Sequence, residues 1–166
     1  GESDFEQFPI VNSEQKVVGI HTNQELLEVR FPNIVILMAG GLGSRLTPLT
    51  DSCPKPLLKV GDQPVLETII KNFLEYGFHR FLISVNFQSE MIENYFQDGQ
   101  QWGASIEYLR EKKALGTAGA LSLLNEPLEY PLIVMNGDLL TKLNFRNLLV
   151  FHRDQGTLVT MCIREY

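Results

Sequence analysis

The sequence predicts an α/β domain built on a doubly wound, mostly parallel sheet, preceded by a short β-β-α segment. Three observations carry that reading. From Ile34 onward, short apolar runs rich in β-branched residues alternate with segments whose apolar residues recur every three or four positions, the pattern of strands joined by crossover helices. The first run passes directly into a turn with three glycines in four positions, Gly40-Gly41-Leu42-Gly43. The first 30 residues lack the alternation and hold too little apolar surface to bury a core of their own.

In chain order, Phe8–Val11 and Lys16–His21 read as two strands joined by the turn formers Asn12-Ser13-Glu14-Gln15, and Thr22-Asn23 as the cap of a short helix through Leu27. A connector covers Glu28–Asn33, where Pro32 blocks helix continuation. Ile34–Met38 is a strand buried on both faces. Pro64–Tyr76 is a helix, with Val65, Ile69, Phe73 and Tyr76 on one face, Pro64 near its start and Gly77 past its end. Phe81–Val85 is a second strand, Ser89 caps a helix carrying Met91, Ile92, Tyr95 and Phe96, and Ile106–Leu109 is a third strand. Thr117–Leu124 reads as helix, Leu132–Met135 as the fourth strand, Phe145–Asp154 as helix and Leu158–Ile163 as the fifth strand. The division is therefore 1–30 and 31–166. Ligands of such sheets bind beyond the carboxyl ends of the strands, so the loops after Met38, Val85, Leu109 and Met135 are where chemistry is expected.

Composition narrows the classes. The chain has 166 residues, 44% of them apolar, and a net charge of −6, which does not suit a broad nucleic-acid surface. The longest wholly apolar stretch, Ile34–Ala39, falls far short of the roughly 18–20 residues that cross a bilayer, and no charged-then-apolar leader opens the sequence. No membrane partner is expected. Between Gly40 and Gly61 the ionised side chains are Arg45, Asp51, Lys55 and Lys59, a local balance of +2 that suits a small anion. Cys53 and Cys162 form no CxxC or CxxH pattern, which favours a reducing, cytoplasmic compartment over a disulfide or zinc framework.

The glycine turn departs from two familiar phosphate loops. A GxGxxG reading from Gly41 finds Leu46 at its third glycine, and a GxxxxGK reading from Gly40 finds Arg45 and Leu46 at its last two positions. Glycines here let the backbone approach a phosphate and present N–H groups; a purely structural turn is the alternative. Lys55, between Pro54 and Pro56, sits on a stiff extended tripeptide that excludes it from a regular helix. Arg45 supplies a planar fork for phosphate oxygens and Lys55 a point charge.

The run Gly40-Gly41-Leu42-Gly43-Ser44-Arg45-Leu46-Thr47-Pro48-Leu49-Thr50, followed by Pro54-Lys55-Pro56-Leu57 and Pro64-Val65-Leu66, resembles the signature of the sugar-1-phosphate nucleotidyltransferases, or nucleotide-sugar pyrophosphorylases. Val85-Asn86-Phe87 and Glu111–Ala120 are similar to the mannose-1-phosphate guanylyltransferase branch, and Gly137-Asp138 to the family's strand-end Gly-Asp. The resemblance covers Ile34 to the end. It implies a Rossmann-like sheet of the nucleotide-diphospho-sugar transferase type and the reaction NTP + sugar 1-phosphate → NDP-sugar + pyrophosphate, GTP favoured and the other bases open.

The same resemblance implies site roles. Arg45 and Lys55 would act on the phosphates as catalytic residues. Ala39, Gly40, Gly41 and Gly43 would hold the nucleotide, with Glu111 and Gly116 bordering base and ribose. Asn86 and Lys55 would meet the sugar phosphate, and Asp138 would hold Mg²⁺. For Asp138 the alternative is to cap the next segment, and for Glu111 to be one solvated charge in Arg110–Lys113. Phe8–Val11, Val17–Thr22 and Gln24–Leu27 resemble the end of a CBS repeat; a hairpin arm packed on the main domain is the other reading. A CBS end implies a parent with paired repeats, a nucleotide ligand at those repeats and self-association. Because the family's domain is longer, sugar contacts and a second metal carboxylate are expected beyond residue 166, so the chain alone is expected to bind NTP but turn over slowly. The alternative to an enzyme is a nucleotide-sensing module with a degenerate transferase domain.

Overall fold

A computed structural model describes residues 7–22, 30–41, 43–113, 115–116, 118–124 and 127–163. Two strands, β1 (Gln7–Val11) and β2 (Val17–Thr22), pair antiparallel, and the turn between them is held by Asn12, whose Oδ1 accepts the amides of Glu14 and Lys16. Val17, Val18 and Ile20 stay exposed on this hairpin. The helix expected over Gln24–Leu27 lies outside the described residues.

The main sheet has four parallel strands, β3 (Phe31–Met38), β6 (Phe78–Val85), β7 (Ser105–Arg110) and β8 (Ile133–Asn136), in spatial order β7-β6-β3-β8. Between β3 and β6 the chain makes a small antiparallel pair, β4 (Lys59–Val60) and β5 (Gln63–Pro64). Strands begin earlier than the apolar runs alone suggest: β3 takes in Phe31 and Pro32, with the register irregular between Phe31 and Ile34. A proline donates nothing to the ladder, so it is tolerated where pairing is interrupted.

Helix α1 (Val65–Glu75) begins right after Pro64 and ends before Gly77, whose φ of 87° closes the turn into β6. Val65, Leu66, Ile69, Ile70 and Phe73 form its buried stripe. Helix α2 (Ser89–Phe96) places Ser89 inside its first turn; the residue before it, Gln88, adopts a left-handed φ of 51° and occupies the cap position expected of Ser89. Helix α3 (Phe145–Gln155) is capped by Asn144, whose side chain accepts the Asn147 amide at 3.0 Å, and stops at Gly156 with φ 59°.

The core lies between the sheet and these helices. Val35, Leu37, Phe81, Ile83 and Ile106 meet Phe73, Ile92, Phe96 and Phe145. Phe73 and Phe145 stack at 3.8 Å, and Phe78 meets Phe73 edge-on at 5.8 Å, the latter the arrangement that the aromatic quadrupole favours. Ile36 alternates to the opposite face and is equally buried, as a strand covered on both sides requires.

Two sequence expectations are corrected. The stretch expected to be helical over Thr117–Leu124 is a short 3₁₀ segment, Gly119–Leu123, with Thr117 outside the described residues. Leu158–Ile163 is not a strand: Leu158 is 99% exposed and Ile163 81%. A strand exists only where its backbone finds a ladder. Here His152 on α3 hydrogen-bonds Thr160 at 2.9 Å, and β8 is left at the margin of the sheet with Val134 exposed.

Candidate functional site

The strand order places a topological switch point between β3 and β8, since the chain leaves β3 towards β6 on one side and returns to β8 on the other. Crevices at such points are where open α/β sheets bind ligands. The register fixes what gathers there. Asn136, Met38, Ser84 and Leu109 form one row across the four strands. Two positions further along each chain stand Asp138, Gly40, Asn86 and Glu111, so four of the expected site residues converge on one carboxyl edge.

Contacts tie most of that row together. Gly137 donates its amide to the Met38 carbonyl at 2.9 Å, and a Cβ at Gly137 would lie 3.1 Å from that same oxygen. Glycine is thus what lets the β8 end close onto β3 and set Asp138 beside the glycine turn. Ala39, 3% exposed, donates to the Ser84 carbonyl at 2.9 Å. A Cβ on Gly40 would meet both the Asn86 Cβ and the Glu111 Oε1 at 3.3 Å. Asn86 Nδ2 donates to the Glu111 carbonyl at 3.1 Å, and the Glu111 amide donates to Val85. The Glu111 carboxylate is tied at both oxygens: Oε1 accepts from the Ser84 hydroxyl and Oε2 from the Leu115 amide at 3.0 Å. Gly116 follows with φ 81°, turning the chain away immediately after that contact.

The cationic segment closes on the other side. Gly43 has φ 67° and packs against Thr50 and the Lys55 Cβ; Thr50, 3% exposed, returns a hydrogen bond from its hydroxyl to the Gly43 carbonyl at 3.0 Å. Lys55 opens a 3₁₀ turn, Lys55–Leu57, so it is not on the extended tripeptide expected from its flanking prolines. Pro54 and Pro56 exclude it from an α-helix, yet the 3₁₀ turn draws its two closing bonds from donors other than the prolines, Leu57 N to Pro54 O at 2.8 Å and Leu58 N to Lys55 O at 3.1 Å. The Lys55 ammonium forms an ion pair with Asp138 Oδ2, both side chains about one-third exposed at 39% and 33%.

Not everything converges. Arg45 is exposed on the 3₁₀ turn Ser44–Leu46 and pairs with no carboxylate among the described residues. Gly41 faces open space, and Leu42 lies outside the described residues. A concavity of about 570 Å³ between α1 and residues 139–142, and another of about 360 Å³ at the amino ends of β3, β6 and β7, contain none of the expected site residues. The expected site residues lie instead along the strand-end edge, outside both concavities. Sequence reasoning passed over Ser84 and took Thr50 only as the end of the signature run, with no role of its own. A lone Ser inside an apolar strand carries no motif; burial at 0% and 3% marks the two.

The parallel sheet thus carries a glycine-rich turn, a lysine–aspartate pair at its switch point and a carboxylate framing the next strand end. Residues 34–166 match the nucleotidyl transferase family model, and the chain belongs to that family. It is 32% identical over 138 residues to a UTP–glucose-1-phosphate uridylyltransferase of Synechocystis, covering 76% of this chain and 36% of the relative. It is 33% identical over 137 residues to the mannose-1-phosphate guanylyltransferase catalytic subunit beta of Danio rerio, covering 78% and 38%. A crystal structure from Bacillus anthracis, assigned as a glucose-1-phosphate thymidylyltransferase and solved with sucrose, superposes with a TM-score of 0.66 at 27% identity, covering 74% of this chain and 50% of that one. The chain thus spans little more than a third of these curated relatives, 36–38% of their length.

Proposed function

We propose that this chain forms the nucleotide-binding part of a sugar-1-phosphate nucleotidyltransferase that uses GTP in preference to other NTPs. The observation that carries the reading is the Lys55–Asp138 pair at the switch point, beside the glycine turn. An oxygen of the sugar phosphate attacks the α-phosphorus, the bond from that phosphorus to the bridging oxygen breaks, and pyrophosphate leaves. The nucleophile is largely ionised at neutral pH, its second pKa being about 6, so no general base is needed. What the reaction needs is in-line placement of two anions and neutralisation of charge at the α-phosphate.

The residues divide that work. Gly40, Gly41 and Gly43 offer backbone N–H groups and close approach. Lys55 bridges the α-phosphate and the incoming sugar phosphate, Asn86 lies within the same strand-end row, and Arg45, free to swing on an exposed turn, clamps the triphosphate. Among the described residues no three His, Cys, Asp or Glu side chains cluster for a metal. A single carboxylate at Asp138 nevertheless fits Mg²⁺, which takes one or two carboxylates and completes its shell from phosphate oxygens and water. Asp138 would hold the ion, which would supply charge neutralisation at the phosphates, and Lys55 would contribute its own positive charge there.

Guanine preference rests on Glu111 and on the guanylyltransferases among the relatives. A carboxylate accepts only, which matches the adjacent N1–H and N2–H donors of guanine and opposes the carbonyls flanking N3–H in uracil and thymine. A uridylyltransferase among the relatives keeps base choice as the finer question. The retention of Arg45, Lys55 and Asp138 together favours chemistry over nucleotide sensing. The hairpin β1–β2 is consistent with the end of a CBS repeat. The test is pyrophosphate release from four NTPs against several sugar 1-phosphates, using the parent protein. GTP should lead, and an Arg45→Ala change should lower the rate by about 10²–10³ with far less effect on NTP affinity. An Arg45 variant altered in affinity alone identifies a sensor instead.

A further inference from the structure

Ser84 was invisible as a site residue, yet its side chain is fully buried at the carboxyl end of β6 and its only hydrogen bond among the described residues is to Glu111 Oε1. We infer that Ser84 is a specificity-determining positioning residue: through Glu111 it sets the acceptor array that selects guanine. This rests on the transferase reading above.

Glu111 accepts hydrogen bonds at three points: Oε1 from the Ser84 hydroxyl, Oε2 from the Leu115 amide, and its main-chain oxygen from Asn86 Nδ2. Gly40 completes the frame, because a Cβ there would come within 3.3 Å of Oε1. Each carboxylate oxygen retains one lone pair after these bonds. Those remaining lone pairs lie in the plane of the carboxylate, so fixing the plane fixes which donors can meet them. Without Ser84, only the Leu115 amide would restrain the group, and it would rotate about its terminal torsion, which is soft for sp³–sp² bonds. The two donors on the guanine edge need both oxygens aligned; a uracil or thymine edge, with one donor, does not. The loss on removing Ser84 therefore falls on guanine.

The test is calorimetric titration of the 166-residue chain with GTP, UTP and dTTP, in the wild type and in Ser84→Ala, Glu111→Ala and the double variant. Wild type should favour GTP. S84A should weaken GTP by about tenfold or more while changing UTP and dTTP by less than about threefold, and this penalty should vanish in the E111A background. Ser84→Cys is nearly isosteric with a weaker donor, so it should give an intermediate GTP affinity and carries the measurement if S84A does not fold. Equal losses for all three nucleotides, or a penalty that persists without Glu111, would show an ordinary structural role and overturn the inference. A wild type that favours UTP overturns it while leaving the transferase reading intact. A wild type that binds none of the three overturns it, and one that also fails to bind ATP and CTP overturns both.

Discussion

Glycines at the site differ sharply in what they permit. Gly43 combines a φ of 67° with an approach to Thr50 in which a Cβ would lie 2.8 Å from Cγ2, whereas Gly41 has open space around it. A Gly43→Ala change should cost about 1–2 kcal/mol, lowering Tm by roughly 2–8 °C, and should displace the turn that carries Lys55. Gly41→Ala should leave Tm within a degree or so of wild type. Thermal melts of the two variants side by side check this, and equal shifts would show that the glycine turn is not held by Thr50. The motif residues were readable because spacing alone carries them: three glycines, a lysine between prolines and a Gly-Asp at a strand end. Ser84 was not, because it matters through a hydrogen bond that forms only once β6 and β7 are in register, and Thr50, though inside the run, gave no sign of its bond back to Gly43.

Helices α1 and α2 are joined by a buried carboxylate. Glu67, 7% exposed, pairs with Lys71 at 2.7 Å and accepts the Tyr95 hydroxyl at 2.5 Å. Burial by itself pushes its pKa up, but the Lys71 ammonium and the Tyr95 hydrogen bond, with the neighbouring Trp102 indole, together outweigh it, so the carboxyl lies below its ordinary value of 4.5. The Tyr95 phenol is pushed up to about 12, chiefly by the same bond to Glu67. The signs follow from linkage. The Glu67 contribution is fully present above pH 4.5 and is lost as pH falls through its lower folded pKa. The Tyr95 contribution is present below pH 10 and is lost as pH rises through about 12. A Glu67→Gln variant should therefore melt below wild type at pH 7, and the gap should narrow by pH 3. A gap independent of pH between 3 and 7 would remove the charge from this account. At this scale helical periodicity located α1, α2 and α3, since the apolar stripe and the flanking Pro and Gly are local properties. It misjudged residues 117–124 and 158–163, where apolar content was present but the deciding factor was a partner elsewhere in the chain.

For the molecule as a whole, alternation of strand and helix was enough to read a parallel sheet, while the order β7-β6-β3-β8 was not readable, because pairing between distant strands leaves no mark on spacing. That order puts β8 at the margin, with Val134 41% exposed, and leaves Leu158, Val159, Met161 and Ile163 outside the core. Unpaired backbone beside exposed apolar side chains is a template for a further strand. Static light scattering of the 166-residue chain should show apparent mass rising with concentration, and replacing Val159 and Met161 with lysine should suppress the rise; a constant monomer mass over the same range would contradict this. The margin at β8 should thus make the 166-residue chain sticky at the bench, so that handling it depends on keeping that ribbon of backbone from finding company.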